Sequence, residues 1–182
     1  MNPDEALARA GFDPEYVADI IDRALAEDLD GGVDVTSVAT VDAGARGTLD
    51  LVARAPGVIS GAPVAAAALV RASQGRVTCT WIEDGTTVSA GDVVVSASGP
   101  TRDLLLGERT ALNLLCHLSG IATATRHWVD ALGDSTTRVR DHGHGRRSHR
   151  PEPCLASLRL CSPDAQTRLV ECGRPGNVEV SL

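Results

Sequence analysis

The apolar positions of this chain change period several times, and each change predicts an element. Asp13-Pro14-Glu15 sets a proline and acids at a helix start, and Val17, Ile20, Ile21, Ala24 and Leu25 then recur at helical spacing. That helix is predicted to end near Leu29, before Gly31-Gly32. Asp34-Val35-Thr36-Ser37 reads as a polar turn, its aspartate and hydroxyls bonding nearby backbone. Gly47 to Ala53 alternates with the period of a half-buried strand, and Pro56-Gly57 leads into a short Val58-Ile59 strand. VAAAALVRA then reads as an alanine-rich helix that stops before Gly75. Val77 to Ile82 alternates again, with Val77, Cys79 and Trp81 on one side. Glu83-Asp84-Gly85 reads as a hairpin-type turn, followed by short strands at Thr86-Thr87-Val88 and Asp92 to Ala97. The succession Val93-Val94-Val95 predicts a strand covered on both faces. Short strands broken by glycine turns suit a small barrel or sandwich.

The longest apolar stretch is Thr101 to Thr125, TRDLLLGERTALNLLCHLSGIATAT. Pro100 marks its start, Thr101 offers a hydroxyl for the free N–H groups, and Asp103 suits the positive end of a helix. Leucines and alanines fall on nearly every face, which predicts a rod inside the core. Glu108 and Arg109 interrupt it. Arg109, Asn113 and His117 stand at i, i+4 and i+8, one polar ridge along the rod. Two readings of the ridge stay open at this point: a structural Glu108–Arg109 pair with a satisfied histidine, or an anion site using Arg109. Gly120 is expected to break the rod, with a further helix over Ile121 to Leu132 carrying Trp128 and Val129 inward. Thr137 to Asp141 looks like the start of a strand.

Aromatic content is only 2%, so the core must be built from Val, Leu, Ile and Ala. All 17 basic residues are arginine, and any mechanism that needs a lysine amine is excluded. Net charge of -7 argues against a nucleic-acid or membrane-surface binder. Five cysteines, none in CxxC spacing, disfavour zinc fingers, thioredoxin-type chemistry and a full disulfide framework. No apolar run approaches the roughly 20 residues of a membrane span, and Met1 to Ala10 is not a secretory signal. The chain reads as cytoplasmic with reduced thiols.

At His142 the pattern is lost. Residues 142–182 hold three of the five histidines, three of the five cysteines and no aromatic residue, and no period persists beyond about two turns. His142-Gly143-His144 with Arg146-Arg147 lacks carboxylates or cysteines at ligand spacing, so no metal site is assigned. The expectation is a solvated, disordered tail.

Gly107-Glu108-Arg109-Thr110, Leu112-Asn113-Leu114 and His117-Leu118-Ser119-Gly120-Ile121-Ala122-Thr123 closely resemble the quinolinate phosphoribosyltransferases, or carboxylating nicotinate-nucleotide pyrophosphorylases. Ala26-Glu27-Asp28-Leu29 and Asp34-Val35-Thr36 resemble the family's acidic turn, and Glu83-Asp84-Gly85 with Val88 and Gly91-Asp92 its glycine-punctuated strands. The resemblance covers roughly residues 17–141. It implies an α+β fold: an N-terminal α/β sandwich of barrel-sandwich (hammerhead) type over residues 1–118, ending in the long helix. Residues 119–141 would be the helix and first strand of an α/β barrel that is otherwise absent. It implies homodimers, and phosphoribosyl transfer from phosphoribosyl pyrophosphate to quinolinate with Mg²⁺, giving nicotinate mononucleotide, pyrophosphate and CO2.

By the same resemblance Arg109 binds quinolinate, while Glu108, Asn113, His117 and Ser119 are supporting motif residues. Where the family continues Thr-Arg-Lys-Thr after its first barrel strand, this chain has His142-Gly143-His144-Gly145. Forty-one residues cannot form the family's barrel, so neither catalytic nor metal-binding residues are assigned, and the chain alone is expected to be inactive. An altered reading frame after Asp141 is the expectation for the change. The alternatives are a non-catalytic dimerisation fragment of the family and a molybdenum-transport-related homologue. A lipoyl-like carrier is disfavoured, since no lysine exists to hold the cofactor.

Overall fold

The computed structural model describes residues 2–30, 32–134, 139 and 178–181. In chain order the elements are α1 (Pro3–Arg9), α2 (Pro14–Leu29), α3 (Val35–Thr40), β1 (Arg46–Ala53), β2 (Gly57–Val58) and α4 (Ala62–Ala72), then β3 (Thr78–Trp81), β4 (Thr87–Val88), β5 (Val93–Pro100), α5 (Thr101–Leu132) and β6 (Val178–Ser181). The larger sheet has the order β3-β5-β1-β6, and β2 pairs with β4 in a second, two-stranded sheet. Helices thus share one core with sheet, as the α+β expectation requires.

The alternation predicted for β1 sets Leu49, Leu51 and Ala53 inward. Its antiparallel register with β5 places Leu49 opposite Ala97 and Leu51 opposite Val95, and all of these are buried. α4 packs between this sheet and α5 and buries nine of its eleven residues. Alanine at 62, 65, 66, 67, 68 and 72 keeps α4 thin, and Gly107 exploits that. A Cβ on Gly107 would lie 3.1 Å from both the Cα of Leu69 and the Cβ of Ala72. The α4–α5 crossing is thus closer than a side chain at 107 fits without the neighbours shifting by a few tenths of an ångström.

Several local expectations change once tertiary contacts are seen. α1 was not expected; Asn2 caps it by accepting from the Asp4 N–H at 3.0 Å. Asp34 does bond nearby backbone, accepting from the Ser37 N–H at 3.0 Å, but what it starts is a helix rather than a turn. Thr101 does not cap α5 through its side chain; its N–H is bonded to the Ala45 carbonyl at 3.0 Å. Gly120 does not break the rod: α5 runs unbroken for 32 residues, and Gly120 is buried within it. The helix cost of one glycine, about 1 kcal/mol, is outweighed by packing on either side. Trp128 is 52% exposed and Val129 is exposed as well, not inward, since no buried residue of α5 lies beyond Thr125.

Of the tail from residue 142, only Val178–Ser181 are described. They form a strand antiparallel to β1, with Leu51 opposite Val180, on the edge that β5 leaves open. Apart from Val139, the expected strand at Thr137–Asp141 and the rest of residues 142–182, with their expected disorder and changed reading frame, lie outside the described residues.

Candidate functional site

α5 carries two sets of polar side chains. The inner set ties the helix to the strand–helix connection before α4. Ser119 Oγ accepts from the Ser60 N–H at 3.0 Å and donates to the Ser60 carbonyl at 3.1 Å. One turn on, Thr123 Oγ1 accepts from the Val58 N–H at 2.9 Å. Hydroxyls at i and i+4 thus substitute for a neighbouring strand, satisfying backbone groups that α5 would otherwise strip of water. The start of α4 is completed from the Glu83-Asp84-Gly85 turn: the Asp84 carboxylate accepts from the N–H groups of Gly61 at 2.8 Å and Ala62 at 2.9 Å. Burial nonetheless pushes the Asp84 carboxyl above the ordinary aspartate range, with these two bonds opposing the shift. Gly61 holds φ +87° and faces Leu118, so a side chain there would be both strained and in collision.

The outer set is the ridge. Arg109, Asn113 and His117 share one exposed face of α5, as their spacing predicts. The expectation of a guanidinium desolvated among leucines is corrected: the Arg109 side chain is 76% exposed. α5 is covered chiefly by α4, with β2, the larger sheet, α2 and α3 adding smaller contacts, and Leu105, Leu106, Leu112 and Leu114 are half-buried rather than enclosed. Nor does Arg109 form its geometric pair with Glu108. Its Nη1 lies 3.6 Å from Oδ1 of Asp28, in the last turn of α2. Asp28 is in turn reached by the buried Thr110, whose Oγ1 donates to Asp28 Oδ2 at 3.4 Å. Glu108 is half-buried; burial raises its carboxyl above the usual glutamate range, and the nearby Arg109 charge offsets this only in part.

Placing Asp28 where it stands is locally unfavourable. α2 ends with Glu27, Asp28 and the left-handed cap Asp30, without a basic residue in its last turn. An acid at the negative end of a helix costs about 0.3–1 kcal/mol, and Arg109 supplies the compensating charge. The other arginines of this region are committed elsewhere. Arg102 donates to the carbonyls of Val38 and Val41 at the end of α3, and Arg76 pairs with the buried Asp103 at 2.9 Å. A cleft of about 470 Å³ lies between α1, α2 and α4, lined by Leu7, Val17, Ile21, Asp22 and Arg71 among others, none of them on the ridge. Its arginine is held by both oxygens of Asp22. Cys79 is buried and its thiol is pushed up to about 11, which rules it out as a nucleophile near neutral pH. Among the described residues no group of three or more His, Cys, Asp or Glu is placed to hold a metal ion, and no helix is long and apolar enough to cross a membrane.

Sequence reasoning had singled out Arg109, Glu108, Asn113, His117 and Ser119. The structure brings the first four to the outer side of α5 and puts Ser119 inside, against Ser60. It missed the parts played by Asp28, Thr123 and Asp84. For Thr123 a signal existed, two hydroxyls four residues apart on a helix that is otherwise apolar there. Asp28 and Asp84 do lie in segments that resemble the family, but their partners are far away in sequence, so no local pattern showed what they would bond.

Comparison with known proteins follows the same division. Residues 34–119 match the family model described as "Quinolinate phosphoribosyl transferase, N-terminal domain". The chain is 45% identical over 125 residues to the carboxylating nicotinate-nucleotide pyrophosphorylase of Mycobacterium leprae, covering 68% of this chain and 44% of that protein. It is 39% identical over 108 residues to a probable carboxylating nicotinate-nucleotide pyrophosphorylase of Methanothermobacter thermautotrophicus, covering 59% and 38%. The crystal structure of NadC from Streptococcus pyogenes superposes with a TM-score of 0.72 at 32% identity, covering 82% of this chain and 53% of that one. The chain thus spans about half the length of the relatives it matches. The matched segment runs from the Asp34 cap to the Ser119 latch and includes the whole Gly107–Thr110 corner, so this part of the chain matches the N-terminal domain of the quinolinate phosphoribosyltransferases.

Proposed function

We propose that this domain presents Arg109 to a carboxylate of quinolinate, as one half of a site whose phosphoribosyl-transfer centre is completed by further protein seated on the open face of α5. The observation that carries the reading is the state of the guanidinium: exposed, inside the matched segment, and approached by an anion only at Nη1. Its Nε and Nη2 have no partner among the described residues, and that edge suits a carboxylate bidentately. In the proposed reaction the quinolinate ring nitrogen displaces pyrophosphate from phosphoribosyl pyrophosphate, and CO2 then leaves the ring. Negative charge is built and moved in both steps, so more cations than Arg109 are required. That need for further cations is what supports the reading that the chain alone is inactive. A homodimer in the cytoplasm, with the ridge of one subunit facing its partner, belongs to the same reading.

Titration of the full chain with quinolinate, followed by NMR at the arginine Nε–H signals, tests it. One bidentate pair predicts weak binding, on the order of 1 mM, that shifts the Arg109 signal and is lost in Arg109→Ala. Binding that survives Arg109→Ala overturns the role of Arg109. Nicotinate mononucleotide formed above background from quinolinate, phosphoribosyl pyrophosphate and Mg²⁺ overturns the inactivity.

A further inference from the structure

From this geometry we infer that Asp28 is the positioning residue for Arg109: together with Thr110 it orients the guanidinium so that its Nε–Nη2 edge stays open to an incoming carboxylate. The ligand part of this inference rests on the reading above; the positioning part does not.

Three observations converge on Asp28. Its two oxygens are used differently. Oδ2 takes the hydroxyl of Thr110, which is 2% exposed and so fixed by the core, while Oδ1 faces Arg109 Nη1. At 3.4 Å the Thr110 contact is a long one, but it draws Oδ2 toward the core and leaves Oδ1 to face Arg109, a bias that a freely solvated acid lacks. The spacing is also informative. At 3.6 Å the Arg109–Asp28 contact is too long for a hydrogen bond, so it restrains the guanidinium by charge without occupying its donors. One bidentate pair with Asp28 through Nε and Nη2 would have taken the edge that a ligand needs, as Asp22 takes that of Arg71. Finally, Asp28 breaks a local rule at the end of α2, where the helix dipole disfavours an acid and no basic residue stands in the last turn. Local rules are broken where a site demands it.

The same arrangement explains why arginine and threonine are adjacent. Consecutive residues on a helix point about 100° apart, so Thr110 turns into the core while Arg109 turns out, and Asp28 bridges the two from the neighbouring helix. An exposed ion pair of this kind adds little to stability. Its effect is on the number of rotamers the arginine samples.

The test uses the full chain and two readouts. The first needs no ligand: the {¹H}–¹⁵N NOE of the Arg109 Nε–H. Wild type is expected to show an ordered signal, while Asp28→Asn, which still accepts from Thr110 but carries no charge, should move it toward the values of an unrestrained arginine. Thr110→Val, which keeps the charge but loses the anchor, should loosen it in the same direction, and Asp28→Glu should restore part of the order. The second readout is quinolinate affinity, which should fall about two- to tenfold in Asp28→Asn, the range expected when one long side chain must be ordered at binding. An Arg109 signal equally ordered in wild type and Asp28→Asn overturns the positioning role. Affinity unchanged or higher in Asp28→Asn, with Arg109→Ala abolishing binding, overturns its relevance to the ligand. Order lost in Asp28→Asn while wild type fails to bind quinolinate at all upholds the positioning and removes the ligand reading instead.

Discussion

Replacing Ser119 by alanine tests how far the hydroxyl latch determines the stability of the fold. Ser119 Oγ serves the N–H and the carbonyl of Ser60 at once, and both residues are buried. Ser119→Ala leaves two backbone groups without a partner. An orphaned buried N–H costs about 1–3 kcal/mol, and a carbonyl, with a second lone pair, sits at the low end of that range. Alanine returns about 0.5 kcal/mol in helix propensity. The expected loss is thus about 2 kcal/mol, which at the usual urea dependence is a midpoint about 1 M lower, readable by circular dichroism. Ser60→Ala is the matched control. The Ser60 Oγ is buried with no partner among the described residues, so its removal is expected to be neutral or slightly stabilising. A Ser119→Ala loss under about 0.5 kcal/mol, or one no larger than that of Ser60→Ala, refutes the reasoning: the latch would then follow from packing rather than hold it.

Two further outcomes are expected. Gly107→Ala gains about 1 kcal/mol of helix propensity, but its Cβ meets the backbone of Leu69 and the Cβ of Ala72 at 3.1 Å, neither of which can rotate away. Against an overpacking cost of about 1–3 kcal/mol, calorimetry should show a net loss of about 1 kcal/mol, and an unchanged or higher Tm would mean the α4–α5 crossing can open. Asp34→Ala removes the α3 cap and should cost about 1 kcal/mol near pH 7. The bonds from Ser37 hold the Asp34 carboxyl below its usual 3.8, so this advantage is present above that pH and disappears as pH falls through the lowered value; a difference between wild type and variant that persists unchanged in strong acid would sink it.

What could be read in advance was what depends on local period. The alternation of β1, the alanine-rich α4 and the polar ridge of α5 each follow from residues within a turn or two of one another. Asp34 was assigned its bonding before its element was known, because an aspartate followed by hydroxyls bonds local backbone either way. The failures share one cause. Leucine on nearly every face of α5 suggested a buried rod, yet how many faces are covered depends on neighbours, and here α4 covers one side. Arg109 is therefore in water rather than in leucine. Gly120 looked like a break because its packing could not be foreseen. The contacts that matter most at the site join Ser119 to Ser60 across 59 positions and Thr110 to Asp28 across 82, distances at which no periodicity speaks.

The run from Gly107 to Thr123 is best understood as a single device for fixing the rotation of one helix. A helix apolar over much of its surface has little to decide which side faces inward, since sliding it by one residue exchanges leucine for leucine. Glycine at 107 permits close approach to α4 at one angle, and Ser119 and Thr123 find the backbone of residues 58–60 at that same angle. Turning α5 by about 100°, one residue, would orphan those backbone groups. It would also carry Arg109 to where Glu108 or Thr110 now stands, the first half-buried and the second enclosed. The inner residues of the motif, which touch no ligand in the proposed site, thereby determine where its outer residues point. On this account the two sets occupy one short run because a guanidinium is aimed only as well as the helix beneath it is locked.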